Sequence, residues 1–136
     1  SSDLPTYVAL AGEGKYEEAL KVILNRNALP FMTGTICSHP CQGYCTRNFY
    51  EKSVQIRNTK LECAEQAMDA IIDCVSVTGD YSGSVAVVVG GPAGMAAAYY
   101  LARLGAKVTI YEKRERLGGV VSAIIPNFRF DDSVIA

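Results

Sequence analysis

Two groups of residues in this sequence have the types and spacing to do chemistry. The first is the run Gly90, Gly91, Pro92, Ala93 and Gly94, which follows the apolar stretch Val85 to Val89 and opens a segment rich in Ala, Leu and Tyr. Glycines there let the backbone approach a pyrophosphate, and a helix starting at that point offers free N–H groups and a partial positive charge. An acidic side chain about 20 positions on can accept hydrogen bonds from a ribose, and Glu112 stands at that distance. Gly118 and Gly119 add a second place where a missing side chain admits a cofactor. The chemistry implied is dinucleotide binding. In the G-x-G-x-x-G frame, however, the first position is Val89. A β-branched residue resists positive φ, at roughly 1–2 kcal/mol where the turn requires it, so a βαβ element that has lost its ligand is the competing reading.

The second group is Cys37, Cys41 and Cys45, spaced C-x3-C-x3-C, with Pro40 and Gly43 preventing a continuous helix. Three thiols on a turning backbone can converge sulfur on a soft metal or an iron-sulfur cluster. They are one short of four. Zinc with His39 as the fourth ligand is an alternative, awkward because His39 lies between Cys37 and Cys41. A set of small buried residues is another, although Ser38, Pro40, Gln42 and Gly43 are not a core pattern. Nothing in the sequence pairs a nucleophile with a base, and no catalytic acid or base is assigned.

The elements that position these groups follow from periodicity. Val85 to Val89 reads as a parallel strand buried on both faces. A helix then runs to Leu104, with Gly105 as its stop, and Lys107 to Tyr111 forms a second strand that delivers Glu112. Strand, glycine turn, helix and strand make the first βαβ unit of a dinucleotide-binding fold. Upstream, Asp3 and Pro5 suit a helix start, and Gly12 and Gly14 its end. Tyr16, Ala19, Leu20, Ile23 and Leu24 form one apolar stripe. Residues 25–34 carry Asn, Pro and Gly and read as a loop. From Ile56 to about Val75 a helix places Cys63, Ala67, Ala70, Ile71 and Cys74 on one face, so Cys63 and Cys74 are read as core. Lys113, Arg114 and Arg116 are read as solvated charges, and Ile124 to Phe130 has no local explanation.

The 136 residues are 49% apolar and 20% charged, with net charge −1, which suffices for a core and gives no basic field for nucleic acid. No apolar leader is evident, and the glycine turn, Arg103 and Lys107 interrupt the one stretch that approaches a membrane span. Five cysteines without a secretory signal fit a reducing, cytoplasmic setting. The expected fold class is α+β: an α-helical, iron-sulfur-type domain over 1–75, a linker over 76–83, and the incomplete start of a Rossmann-like FAD/NAD(P)-binding domain over 84–136. A dinucleotide fold needs more than two parallel strands, so the sequence reads as a fragment.

With these residues placed, the chain resembles the iron-sulfur flavoprotein oxidoreductases that include the glutamate synthase small subunit, the N-terminal region of dihydropyrimidine dehydrogenase and the selenate-reductase-like proteins. The resemblance covers nearly the whole chain, through GEGKYEEALKVILNRNALP, GTICSHPCQGYCTRN, VQIRNTKLECAEQ and the GGPAGMAAAYYLARLG, YEKRERLGG and IPNFR series. It implies a helical domain with two 4Fe-4S clusters followed by an FAD domain into which an NAD(P)H domain is inserted. Cys37 and Cys41 would serve one cluster and Cys45 the other, with the remaining cysteines supplied from upstream. Gly91, Gly94, Glu112 and Gly119 would contact FAD. Lys60 stands where related branches carry a Glu or Gln ligand, and an ammonium has no lone pair to offer.

The expected function is the N-terminal part of an NAD(P)H-dependent FAD and 4Fe-4S oxidoreductase that passes electrons to a partner subunit or domain, with the fragment alone inactive and binding either these cofactors or none. The rival is a non-catalytic docking module that has lost its cofactors, which Val89 and Lys60 favour.

Overall fold

The computed structural model describes residues 3–72, 75–126 and 128, and the chain divides into two compact units, Ser1–Asp73 and Cys74–Ala136. The first unit is helical. Helix α1 (Leu4–Gly12) starts behind Asp3, whose side chain accepts a hydrogen bond from the Thr6 amide at 3.4 Å, satisfying one of the free donors of the first turn. Gly14, with φ of 76°, turns the chain after it. Helix α2 (Tyr16–Leu24) buries Ala19, Leu20, Ile23 and Leu24, the stripe expected from spacing. Tyr16, the fifth residue of that stripe, is half-buried. The helix packs on α5 (Ile56–Ile72), and α1 lies against both. Tyr7, Leu20, Ile23 and Cys63 are among the fully buried side chains. Each aliphatic side chain so buried contributes about 1.5–3 kcal/mol, so this seam dominates the stability of the unit.

Two expectations change here. Residues 25–34 are not all loop, because α3 (Pro30–Ile36) begins within them. Pro30 occupies the first turn, where its missing N–H costs nothing, and the Asn27 side chain steadies the entry by accepting from the Leu29 amide and donating to Thr33 Oγ1 at 2.7 Å. Gly34 lies where a Cβ would stand 3.3 Å from Leu61, so its bareness serves the packing of α3 on α5. On α5 the buried stripe is Cys63, Ala64, Ala67 and Ile71, while Ala70 is exposed. Ala64 draws the centre of the stripe round the helix and leaves Ala70 at its edge. Cys74 lies outside the described residues.

In the second unit, β1 (Ser84–Val88) and β2 (Lys107–Tyr111) pair in parallel, with Ser84 opposite Lys107 and Val88 opposite Tyr111. Helix α6 (Pro92–Arg103) connects them and packs on both. Burial alternates along each strand, so β1 is not covered on both faces as its unbroken apolar run suggests. Val85 and Val87 are half-buried, whereas Val88 is 75% exposed. A strand's second face depends on neighbours that its own residues do not specify. The α6 helix ends at Arg103, one residue short of the expected Leu104, which is its C-cap, and Gly105 takes φ of 99°, the left-handed stop expected of it.

Residues 75–83 form neither helix nor strand, and their middle is fastened to the end of α6. The Thr78 and Gly79 amides donate to the Arg103 carbonyl at 2.7 and 3.2 Å, and the Tyr81 amide donates to the Leu104 carbonyl at 3.0 Å. These bonds satisfy carbonyls that a helix end leaves open. Among the described residues, no helix is long and apolar enough to cross a membrane.

Candidate functional site

The glycine turn occupies the junction of β1 and α6. Gly91 caps α6, Pro92 stands in its first turn, and among the described residues no side chain caps that end. Its amides are therefore presented to an anion as a dinucleotide site requires. Gly94 lies so close to the Val89 carbonyl that any Cβ would collide with it, whereas Gly91 has ordinary space, 3.7 Å to Val89 Cγ1. Gly94 is thus required by helix–strand packing, and Gly91 leaves open a face a ligand can use.

A second segment closes on the first. The Gly118 amide donates to the Gly90 carbonyl at 2.8 Å. Gly119, at φ of 56°, lies where a Cβ would stand 2.9 Å from Gly91 Cα. A Cβ on Gly90 would strike the Leu117 side chain. The structure thus brings together Gly90, Gly91, Pro92, Ala93, Gly94, Glu112, Gly118 and Gly119, the residues expected from the sequence. Gly91, Pro92, Ala93, Gly94, Glu112 and Gly119 line an open groove of about 570 Å³.

Glu112 guards this groove. Its Oε1 accepts from the Arg114 amide at 2.9 Å and its Oε2 from the Gly90 amide at 2.7 Å. Those backbone donors, Arg114 first, hold its carboxyl below the usual carboxylate range. It is an anion at neutral pH, suited to accept hydrogen bonds from ribose hydroxyls. Arg114, read from the sequence only as a solvated charge, also donates from Nη1 to the Gly119 carbonyl at 3.3 Å and lines the groove with Lys113. Position two residues beyond the expected ribose-binding acid was its only signal.

Val89 sits in the turn with φ of 102°. This is the positive-φ geometry that a β-branched residue resists, at about 1–2 kcal/mol. Its side chain is 57% exposed and lines the same groove.

In the helical unit, Cys37 ends α3 and is half-buried, Cys41 is exposed within the short helix α4 (Pro40–Gly43), and Cys45 precedes a 3-10 turn over Thr46–Phe49. The His39 amide donates to Cys37 Sγ at 3.3 Å. The backbone of Val54, and then that of Arg47, holds the Cys45 thiol below its ordinary pKa. Backbone donors to sulfur are the environment an iron-sulfur ligand uses, so these thiols fit that chemistry in kind. Among the described residues, no three His, Cys, Asp or Glu side chains are grouped to hold a metal ion. The turn therefore presents its three thiols without closing them on one point, with or without His39. Cys63 is fully buried in the α2–α5 seam, as expected of a core residue.

A helical unit bearing a thiol turn and a second unit bearing a dinucleotide cradle define a class, and the chain belongs to it: the iron-sulfur flavoprotein oxidoreductases. Residues 1–71 match the family model described as dihydropyrimidine dehydrogenase domain II, 4Fe-4S cluster. Residues 87–135 match that of the NAD(P)-binding Rossmann-like domain. Among curated proteins, "Putative oxidoreductase YgfK" of Escherichia coli K12 is 45% identical over 136 residues, covering 98% of this chain and 13% of that protein. The NADP(+)-dependent formate dehydrogenase subunit beta of Moorella thermoacetica is 32% identical, over 98% of this chain and 22% of the relative. The small chain of the NADPH glutamate synthase of Bacillus subtilis is 31% identical, over 97% and 27%. The chain thus spans between 13% and 27% of the length of these relatives.

Proposed function

We propose that this chain is the cluster-bearing and flavin-entry part of an NAD(P)H-dependent FAD and 4Fe-4S oxidoreductase that passes electrons to a partner subunit or domain. The observation that carries the reading is the cradle itself: two glycine segments held together by the Gly118–Gly90 bond, with the Glu112 carboxylate at its mouth. Gly91 leaves the backbone open to a pyrophosphate in a groove that Gly94 and Gly119 also line, the amides at the start of α6 face it, and Glu112 holds the ribose. Cys37, Cys41 and Cys45 supply cluster thiolates, completed by cysteines elsewhere in a longer polypeptide. When bound, flavin exchanges hydride with nicotinamide and single electrons with iron-sulfur clusters. Tyr44, Phe49 and Tyr50 flank Cys45 and are 90%, 90% and 75% exposed, which supports a protein partner meeting this edge. The two domains are assigned to 1–75 and 84–136, joined by 76–83, and this stretch alone is inactive.

A second reading, a docking module without cofactors, is favoured by Val89 at positive φ and by Lys60 in place of a carboxylate or amide ligand. One experiment separates the two: the anaerobic visible spectrum of the longer protein before and after NAD(P)H. Flavin bands that bleach over a broad iron-sulfur shoulder are expected. A colourless protein after reconstitution with FAD, iron and sulfide overturns the redox reading in favour of docking.

A further inference from the structure

The cysteine turn is held at its entry and middle by one residue outside it. Arg57, in the first turn of α5, donates from Nε to the Gly34 carbonyl at 2.8 Å and from Nη2 to the Thr35 carbonyl at 2.9 Å. These are carbonyls of the last turn of α3, immediately before Cys37. A guanidinium satisfies two such acceptors with one rigid fork and places a cation at the negative end of the helix. The Arg57 amide in turn donates to Gln42 Oε1 at 3.3 Å, in the middle of the thiol turn. The exit is tied back separately, as Asn48 Nδ2 donates to the Gln42 and Gly43 carbonyls at 2.8 and 3.3 Å.

We propose that Arg57 is the positioning residue of the cysteine turn, fixing where Cys37 leaves α3 and where the Cys41 segment meets α5, so that the backbone carrying these thiols is held in place for cysteines elsewhere to complete the cluster. The inference rests on the cluster assignment made above. Groups that orient metal ligands from behind typically change metal affinity by about 10–100-fold when removed. Arg57 is partly buried and its fork serves two carbonyls at once, so lysine, which offers a point charge, is an incomplete substitute.

The test compares wild type with Arg57→Gln and Arg57→Lys in this chain, measuring iodoacetamide alkylation of each cysteine by mass spectrometry. In Arg57→Gln the half-buried Cys37 reacts about tenfold faster, on the scale of a hydrogen bond to a charged group, and Arg57→Lys falls between. Cys63 stays protected in all three, which reports that the helical core is folded. Unchanged Cys37 rates with Cys63 protected overturn the proposal. Exposure of Cys63 in Arg57→Gln moves the decision to Arg57→Lys and Gln42→Ala, and wild-type Cys37 rates in both overturn it as well. In the longer protein, iron is removed from Arg57→Gln by about 10–100-fold less chelator than from wild type, and equal retention counts against the proposal. A wild-type protein that takes up no iron refutes the cluster assignment, whereas the alkylation result stands independently of it.

Discussion

The amide of Gly118 donates to the carbonyl of Gly90 across 2.8 Å, and this bond makes one site of two glycine segments. It brings Gly119 so close to Gly91 that a Cβ on Gly119 would stand 2.9 Å from Gly91 Cα, while Gly91 itself keeps ordinary space. The cradle is therefore built by backbone approach, and the glycines in it have separable duties.

Gly91 and Gly94 should fail in different ways. A Cβ on Gly94 meets the Val89 carbonyl, so Gly94→Ala is expected to cost about 1–3 kcal/mol in urea unfolding, as overpacking does. Gly91, at φ of −77° and with ordinary space around it, should accept alanine within about 0.5 kcal/mol. Gly91→Ala should nevertheless weaken ADP or FAD binding by about tenfold or more in calorimetric titration, because it covers the face the pyrophosphate needs. Equal affinity in Gly91→Ala and wild type would refute this placement of the phosphates.

Val89→Gly should stabilise the second unit. Relief of roughly 1–2 kcal/mol at φ of 102° exceeds the roughly 0.5–1 kcal/mol of backbone entropy that glycine loses. A net gain of about 0.5–1 kcal/mol is expected, a rise of a few degrees in the thermal midpoint. The same variant opens the groove beside Gly91 and should bind flavin more tightly. A lower midpoint would show that the valine backbone is unstrained.

Cys45 should ionise more readily than an ordinary thiol. The Val54 and Arg47 backbone groups lower its pKa, so its thiolate forms, and its alkylation rises, at lower pH than an ordinary thiol. Because the folded-state pKa is depressed, this interaction stabilises the fold above the unfolded thiol's pKa and is lost as pH falls through the folded value. Alkylation rates from pH 6 to 10 should give Cys45 a lower midpoint than a cysteine in an unstructured peptide. Coincident profiles would remove the backbone donors from the account.

Tyr7 should resist base. Burial, reinforced by the thiols of Cys41, Cys63 and Cys37, pushes its hydroxyl up to about 12. Unfolded tyrosine ionises near 10, so between those values the unfolded state releases a proton that the folded state keeps, and stability falls as pH rises. Tyr7→Phe should flatten that decline. An ultraviolet titration in which every tyrosine ionises together near 10 would contradict it.

Local pattern made much of this legible. The α2 stripe, the βαβ order, the stop at Gly105 and the residues of the cradle follow from periodicity and glycine chemistry. Helix α3 was hidden because Pro30 and Gly34 read as breakers, when one starts the helix and the other lets it pack on Leu61. The exposure of Val88 was illegible because a strand does not record what covers it. Arg57 grips carbonyls 22 and 23 residues away, a relation that no window of helical or strand period contains. Val89 was legible as a misfit, and its φ of 102° shows that the turn keeps its shape despite the side chain.

Every valine codon is a single base from a glycine codon, so the unstrained turn lies one point mutation away in any version of the gene. A random library of single-base variants, screened for yellow colour or heat resistance, should return Val89→Gly without design.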